Sequence, residues 1–487
     1  MTANAVGWRF DHTYAQLPKP LFEPAKPALV REPKVVVLNH RLARELGLDF
    51  SALTDTEAAA IFSGMALPDG ALPIAQAYAG HQFGGFTMLG DGRAMLWAEH
   101  VSPSGNRVDL QFKGSGPTHF SRRGDGRAAL GPMLREYIIG EAMAGLGIPT
   151  TRALAVVTTG QPVFRDRPLR GAILTRVAAS HIRVGTFQYA AARGDVPTLR
   201  ALADYTIARH DPDLVDSPEK YRAFLRAVIT RQAQLIAQWQ LVGFVHGVMN
   251  TDNMALSGET IDYGPCAFMN QYDPATVFSS IDEMGRYAYG NQPRIGQWNL
   301  MRLAEAMLPL LHDDSKIAVE QATEELNRYP ELFQDAWLAG MRRKLGLRSA
   351  ASGEIEWLQQ LLEWMLAAKA DFTETFIALS ESKLPESPAE HASALQQWHA
   401  EWLSRLAAEG QSPESVREAM QQANPLVIPR NHLVETALEA ADERDDLQPM
   451  QDLVAALQNP FDRTTDRAPF RTPAPAEYCQ YRTFCGT

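Results

Sequence analysis

The chain has 487 residues, 45% apolar and 21% charged, which is ordinary globular composition and long enough for two or three lobes. A net charge of −11 argues against nucleic-acid binding, and the absence of any run of 18 apolar residues argues against a membrane span. Three cysteines are too few for a disulfide framework and no secretory signal is visible, so a cytoplasmic protein is expected, as a monomer.

Residues 1–75 mix short helical signals with Pro-rich connectors and are expected as an N-terminal extension, with a short helix over 42–48 stopped near Gly47. Residues 78–92 carry five glycines and read as a flexible, turn-rich segment before strand character returns at 93–101. Residues 107–113 alternate: Val108, Leu110 and Phe112 face one way, and the strand delivers Lys113 to the polar side. A Gly/Ser/Arg-rich loop follows. Pro132 then opens a helix that runs to 146 and carries Glu136. The β-branched runs 151–159 and 169–177 read as a hairpin. Residues 93–177 thus spell strand, strand, helix, strand, strand, a small, mostly antiparallel sheet with one inserted helix. Residues 186–458 are mainly helical, beginning with a long amphipathic helix at 221–242 and including 297–311 and an unbroken 354–380. The tail, 459–487, is Pro- and Arg-rich, carries Cys479 and Cys485, and is expected to be extended.

Charge is uneven. From Lys113 to Arg183 there are eleven Lys/Arg and four Asp/Glu, a balance of +7 that leaves −18 for the remainder. Such a segment suits an anion such as a triphosphate, although chance clustering on a solvated surface explains it equally well. Lys113 on a strand and Glu136 on the next helix form the pair with which a small lobe can hold phosphate. In Gly90-Asp91-Gly92-Arg93 and Gly124-Asp125-Gly126 the glycines allow backbone N–H groups to approach a phosphate, or simply make turns. Arg176 and Arg183 add bidentate donors that stay charged.

The most informative stretch runs from His246 to Gly264. Aligned with the protein-kinase loop H-R-D-L-x-x-x-N and its following D-F-G, His246 falls on the His, Asn253 on the metal-binding Asn and Asp262-Tyr263-Gly264 on D-F-G. The position of the kinase general base is Val248, which cannot accept a proton, and Asp252 is the nearby carboxylate able to replace it.

The strings at 78–84 (YAGHQFG), 110–116 (LQFKGSG), 246–253 (HGVMNTDN) and 262–268 (DYGPCAF) resemble the selenoprotein O family, and the resemblance covers essentially the whole chain. It implies an α+β, protein-kinase-like bilobal fold with a mainly β N-lobe (76–185) and a large helical C-lobe (186–458). It also implies a protein adenylyltransferase that binds ATP flipped relative to kinases and moves AMP to Ser, Thr or Tyr hydroxyls of protein substrates. On that pattern Lys113, oriented by Glu136, binds phosphate; Gly90, Gly92, Arg93, Asp125, Gly126, Arg176, Arg183 and Asp262 contact the nucleotide. Asn253 and Asp262 hold Mg²⁺ or Mn²⁺, and Asp252 is the base. Cys485 stands third from the end, where many eukaryotic members carry selenocysteine. A reversible Cys266–Cys485 disulfide is the resulting expectation, with Cys479 as competing partner and three free thiols as the alternative. Transfer of UMP from UTP with Mn²⁺, ordinary phosphorylation, and a nucleotide-binding scaffold without activity are the rival outcomes.

Overall fold

A computed structural model describes residues 6–475, 478 and 481–483. Its first layer is an antiparallel sheet built from β1 (Phe10–Asp11), β2 (Phe22–Pro24), β3 (Lys34–Leu38) and β4 (Ile74–Gln76), with a small separate hairpin of β5 (Ala79–Gln82) and β6 (Gly85–Met88). The main sheet continues with β7 (Ala94–Val101), β8 (Arg107–Lys113), β9 (Ala128–Ala129), β10 (Arg152–Phe164) and β11 (Pro168–Ala178). Its order is β2-β4-β7-β8-β11-β10-β3, with β1 on β7 and β9 on β11. Residues 10–76 therefore supply four strands to this layer. Two short helices from the same region, α1 (His40–Glu45) and α2 (Asp55–Phe62), cover one face, burying Phe50, Phe62, Trp97 and Phe112 together. The alternation at 107–113 follows its register, with Lys113 opposite Leu174 of β11 and Ala94 of β7.

The other face receives α3 (Leu130–Gly145), which starts two residues before Pro132 rather than at it. Met133, Leu134, Ile138 and Met143 of α3 are fully buried in one core with Val156, Leu174, Leu438 and Leu453. The last two come from far along the chain. Glu435 pairs with Arg135, and Gln458 Nε2 donates to Glu141 at 2.7 Å. The C-terminal helices thus hold α3 against the sheet.

The chain leaves the sheet at Ala178 and enters α4 (Val184–Ala192), α5 (Val196–His210) and α6 (Lys220–Leu241). The crossing is tied from both sides. Asp109 of β8 accepts from the His181 backbone N–H at 2.9 Å and from Arg209 at 2.6 Å. Arg209 also donates to the Ala179 carbonyl at 2.7 Å, while Glu259 accepts the Ala179 N–H at 2.9 Å. After α6 a two-strand ribbon, β12 (Phe244–Val245) with β13 (Ala267–Phe268), brackets the His246–Asp262 stretch. Then α7 (Gln292–Leu311) packs on α4 and α6, and further helices complete the C-terminal part.

The structure differs from the sequence expectation at two internal segments and in the tail, where Ala468–Arg471 form a helical turn within a stretch read as extended. The stretch at 79–88 is an ordered hairpin: Phe83 and Gly84 both take positive φ (49° and 90°), the two-residue turn whose twist matches its strands. The expected helix at 354–380 is two, Glu354–Ala367 and Phe372–Ser380; Lys369 turns left-handed (φ 51°) and Asp371 caps the second by accepting from Glu374 N–H at 2.9 Å.

Burial pushes the Glu259 carboxyl up to about 7 from an ordinary 4.5. In that window the folded form keeps a proton that the unfolded chain releases, so this group's stabilisation is present below it and fades as pH rises through it. Glu259→Gln keeps an acceptor for Ala179 N–H without titrating. The urea midpoint of wild type minus that of the variant should therefore be larger at pH 5 than at pH 7; a constant difference would contradict it.

Candidate active site

Four charged side chains meet where the sheet, α3 and the His246–Gly264 stretch come together. Lys113 Nζ donates to Glu136 Oε2 at 2.7 Å and to Asp262. Arg176 Nε donates to Glu136 Oε1 at 2.6 Å, and its Nη2 to Asp262 Oδ1 at 3.0 Å. Two cations and two anions form a closed, neutral set, in which Lys113, Glu136 and Arg176 are all buried. Burial alone would raise the Glu136 carboxyl; Arg176 and Lys113 reverse that and hold it below its ordinary value. The same contest is won more strongly at Asp262, which Lys113, Arg176 and Arg93 hold well below the carboxylate range. Asp262 sits at φ +68°, a left-handed turn that Asp and Asn tolerate better than bulkier residues.

His246 fixes the loop. It is buried, which lowers its pKa, so it is neutral; Nε2 meets the Ile261 carbonyl at 3.0 Å, just ahead of Asp262. Its backbone N–H is held by Gln292 Oε1 at 2.9 Å. Asn253 spends its amide N–H on the Val248 carbonyl at 3.0 Å, which leaves its oxygen as a hard ligand. No group of three or more His, Cys, Asp or Glu side chains able to hold a metal occurs among the described residues. One ionised carboxylate and one amide oxygen nonetheless fit Mg²⁺ or Mn²⁺, because such ions take few protein ligands and complete their shell with phosphate and water.

Asp252 lies beside Asn253 in a short 3₁₀ turn, Thr251–Asn253. It is buried, and its Oδ1 has no hydrogen-bond partner. Burial pushes its carboxyl up to about 6, with Arg183 opposing and Asp262 adding to the rise. The hairpin explains its position. A methyl on Gly80 of β5 would stand 2.2 Å from Asp252 Oδ1, so only glycine lets the two approach.

Arg183 is buried, with its guanidinium 4.3 Å over the Tyr78 ring and 3.8 Å from Asp91. Asp91 is itself buried and accepts from Gln76 N–H and Gln111 Nε2, both at 3.2 Å. Tyr78, Gly80 and Asp91 stand inside the strings at 78–84 and 90–93, but local pattern assigns none of them a role of its own. Gly90 and Gly92 lie under the 117–121 loop, where a methyl on Gly90 would strike Phe120 at 2.3 Å. That loop packing accounts for the glycines as they stand. Asp125 is drawn into an ion pair with Arg165 at 2.9 Å, apart from the Lys113–Asp262 set. Gly126 is left-handed (φ 66°) and packs on Gly116.

Cys266 is buried and free, and burial pushes its thiol up to about 12. Cys479 and Cys485 lie outside the described residues. The tail nevertheless returns to this region: Arg135 donates to Tyr481 Oη at 3.0 Å, and Thr483 N–H donates to the Phe278 carbonyl at 2.8 Å.

The family model described as protein adenylyltransferase SelO matches residues 5–458. Proteins named protein nucleotidyltransferase YdiU from Halalkalibacterium halodurans and Bacillus cytotoxicus are 57% and 56% identical over 484 and 482 residues, covering 99% of this chain and 98% of each relative. The one from Brevibacillus brevis is 55% identical over 482 residues, with the same coverage. Their shared class is the enzymes that transfer a nucleotidyl group to protein. The chain belongs to the protein adenylyltransferase SelO family.

Gly80→Ala tests the seat of Asp252. Because Gly80 does not need a left-handed backbone, the added methyl acts sterically. Displacing a reacting group by about 1 Å costs ~10²-fold in rate. Turnover should fall on that scale while ATP binding, measured by titration calorimetry, is retained; wild-type turnover would show that the contact is immaterial.

Proposed function

We propose that this chain transfers AMP from ATP to Ser, Thr or Tyr hydroxyls of protein substrates. We read the fold as kinase-like and bilobal: the sheet, to which residues 10–76 add four strands, lies with α3 over the helical part (186–458), and this division supports the reading. The observation that carries it is Asp252. It is a buried carboxylate with one unpartnered oxygen, next to a metal-capable Asn253, in a loop whose kinase base position is filled by Val248.

The chemistry follows from the residues. Lys113 and Arg176 lie on the polar side of the sheet, held by Glu136, and offer N–H donors to phosphate oxygens. Arg183, pre-set by Tyr78 and Asp91, adds a third cation, and Arg93 acts on the same field. Gly90, Gly92, Asp125 and Gly126 line the loops that would border the nucleotide. Asn253 and Asp262 would hold Mg²⁺ or Mn²⁺, which when bound supplies charge neutralisation and in-line orientation of the phosphates. Asp252 takes the hydroxyl proton as the oxygen attacks the α-phosphorus. A new O–P bond forms, the α–β bridge breaks, and pyrophosphate leaves. An enriched basic field supports a flipped triphosphate, whose outer phosphates need counter-charge where kinases provide none.

The relatives' broader name, nucleotidyltransferase, favours keeping UTP as a second donor. Pairing of Cys266 with a tail cysteine, Cys485 or its competitor Cys479, is supported by the return of the tail to Arg135, which also acts on the Cys266 thiol.

Parallel incubation with α- and γ-labelled ATP, each with and without excess UTP, decides the reaction. Protein label is expected from the α position alone; label from the γ position alone would mean a kinase. Asp252→Asn should lower transfer by about 10²–10⁴-fold, the usual worth of a general base, with ATP affinity retained. Near-normal transfer by this variant would remove Asp252 from the role.

A further inference from the structure

The hairpin that seats Asp252 has an outward side. β5 and β6 pair only with each other, so the hairpin stands off the main sheet. Phe83, Phe86 and Met88 are 39%, 47% and 40% exposed. The hairpin is tied to the loop before Asp252: His81 N–H donates to Thr251 Oγ1 at 2.7 Å and Phe83 N–H to Asn250 Oδ1 at 3.1 Å. Its tip meets a second segment, with the Phe83 and Tyr287 rings 5.2 Å apart and edge-on. That segment carries Ile281 and Met284, 60% and 93% exposed.

Arg286 stands at the junction. Its guanidinium stacks on Trp298 at 4.8 Å and would be 3.9 Å from a methyl on Gly84. Its Nε is buried with no hydrogen-bond partner; its guanidinium acts on the Tyr287 hydroxyl and its backbone N–H donates to Asp282 Oδ1 at 2.9 Å, while among the described residues no carboxylate forms an ion pair with it. A stacked arginine with no ion-pair partner among the described residues, beside exposed apolar side chains and near Arg122, which donates to the Met88 carbonyl, is an arrangement for receiving a polypeptide, with aromatic and Met surface to cover and cationic groups to meet.

The geometry points to this rim as the docking surface for the acceptor protein. The occupant is an extended segment carrying the hydroxyl, with a large apolar side chain over Phe83, Phe86, Met88 and Met284 and a carboxylate on Arg286. The inference rests on the reading of Asp252 as the base, because the same hairpin packs on Asp252 and bears the apolar rim. A segment presenting its hydroxyl to Asp252 lies against both. The acceptor class is therefore narrower than any exposed hydroxyl: flanking residues select it.

The test uses the full chain, α-labelled ATP and a positional-scanning library of Ser, Thr and Tyr peptides. Wild type should select a large apolar residue at one flanking position and Asp or Glu at another. Phe86→Ser with Met88→Ser, both at exposed positions, should raise KM for the selected peptide about tenfold with ATP affinity and thermal midpoint unchanged. Arg286→Glu should lose the acidic preference and gain one for Lys or Arg, which a merely folding-related defect would not do. Labelling without flank selection, or selection untouched by these variants, would overturn the docking surface alone. Concentration-dependent self-association abolished by the Ser variants would assign the rim to a second copy and likewise overturn it. No α-label on any peptide would overturn the AMP-transfer reading, and the docking surface with it.

Discussion

Four charges sharing one buried site set the terms for everything around them. Lys113, Glu136, Arg176 and Asp262 come from two strands, a helix and a loop, and their hydrogen bonds pin those four elements together. Removing one partner from a buried ion pair typically costs ~3–5 kcal/mol, since the orphaned charge stays in low dielectric. The set is neutral in total, which is why it can exist without a ligand. On the proposed reading, phosphate entering the site would compete with Asp262 for the same N–H donors and free the carboxylate for a cation, so that the proposed nucleotide and metal sites would be two states of one hydrogen-bond network.

A second dependence runs through the hairpin. Asp252 is left with an unpartnered oxygen, a cost that only the surrounding packing sustains. Gly80, Thr251 and Asn250 supply it, the first by lacking a side chain and the others by anchoring the hairpin backbone. The Asp252 carboxylate and the element covering it are therefore positioned as a unit.

Much of this was legible in the sequence. Strict alternation at 107–113 places Lys113 on the polar face, and the β-branched pair 151–159 and 169–177 emerges as β10 and β11. The His246–Asp262 spacing survives as a loop closed by one histidine on one carbonyl. What local pattern could not carry was assembly at a distance. The hairpin at 79–88 turns on Phe-Gly, a weaker signal than Asn-Gly, so its glycines read as flexibility. Asp91 and Tyr78 matter only because Arg183, about a hundred positions on, folds onto them. The four strands from residues 10–76 are short and find partners only in the finished sheet. The break at 369–371 depends on one left-handed lysine, which periodicity does not report.

The clasp on α3 bears on how the protein comes into being. Arg135 meets Glu435, 300 positions downstream, and Glu141 meets Gln458, 317 positions downstream. During synthesis the sheet strands and α3 leave the ribosome long before their covering helices exist, at roughly 5–20 residues per second. Through that interval the apolar side of α3 faces solvent and Glu136 lacks the support that holds it toward Lys113. The Lys113–Glu136–Arg176–Asp262 set is therefore completed only as the last helices arrive, and a chain cut short before residue 458 would retain these four residues and Asp252 yet lack the packing that sets them.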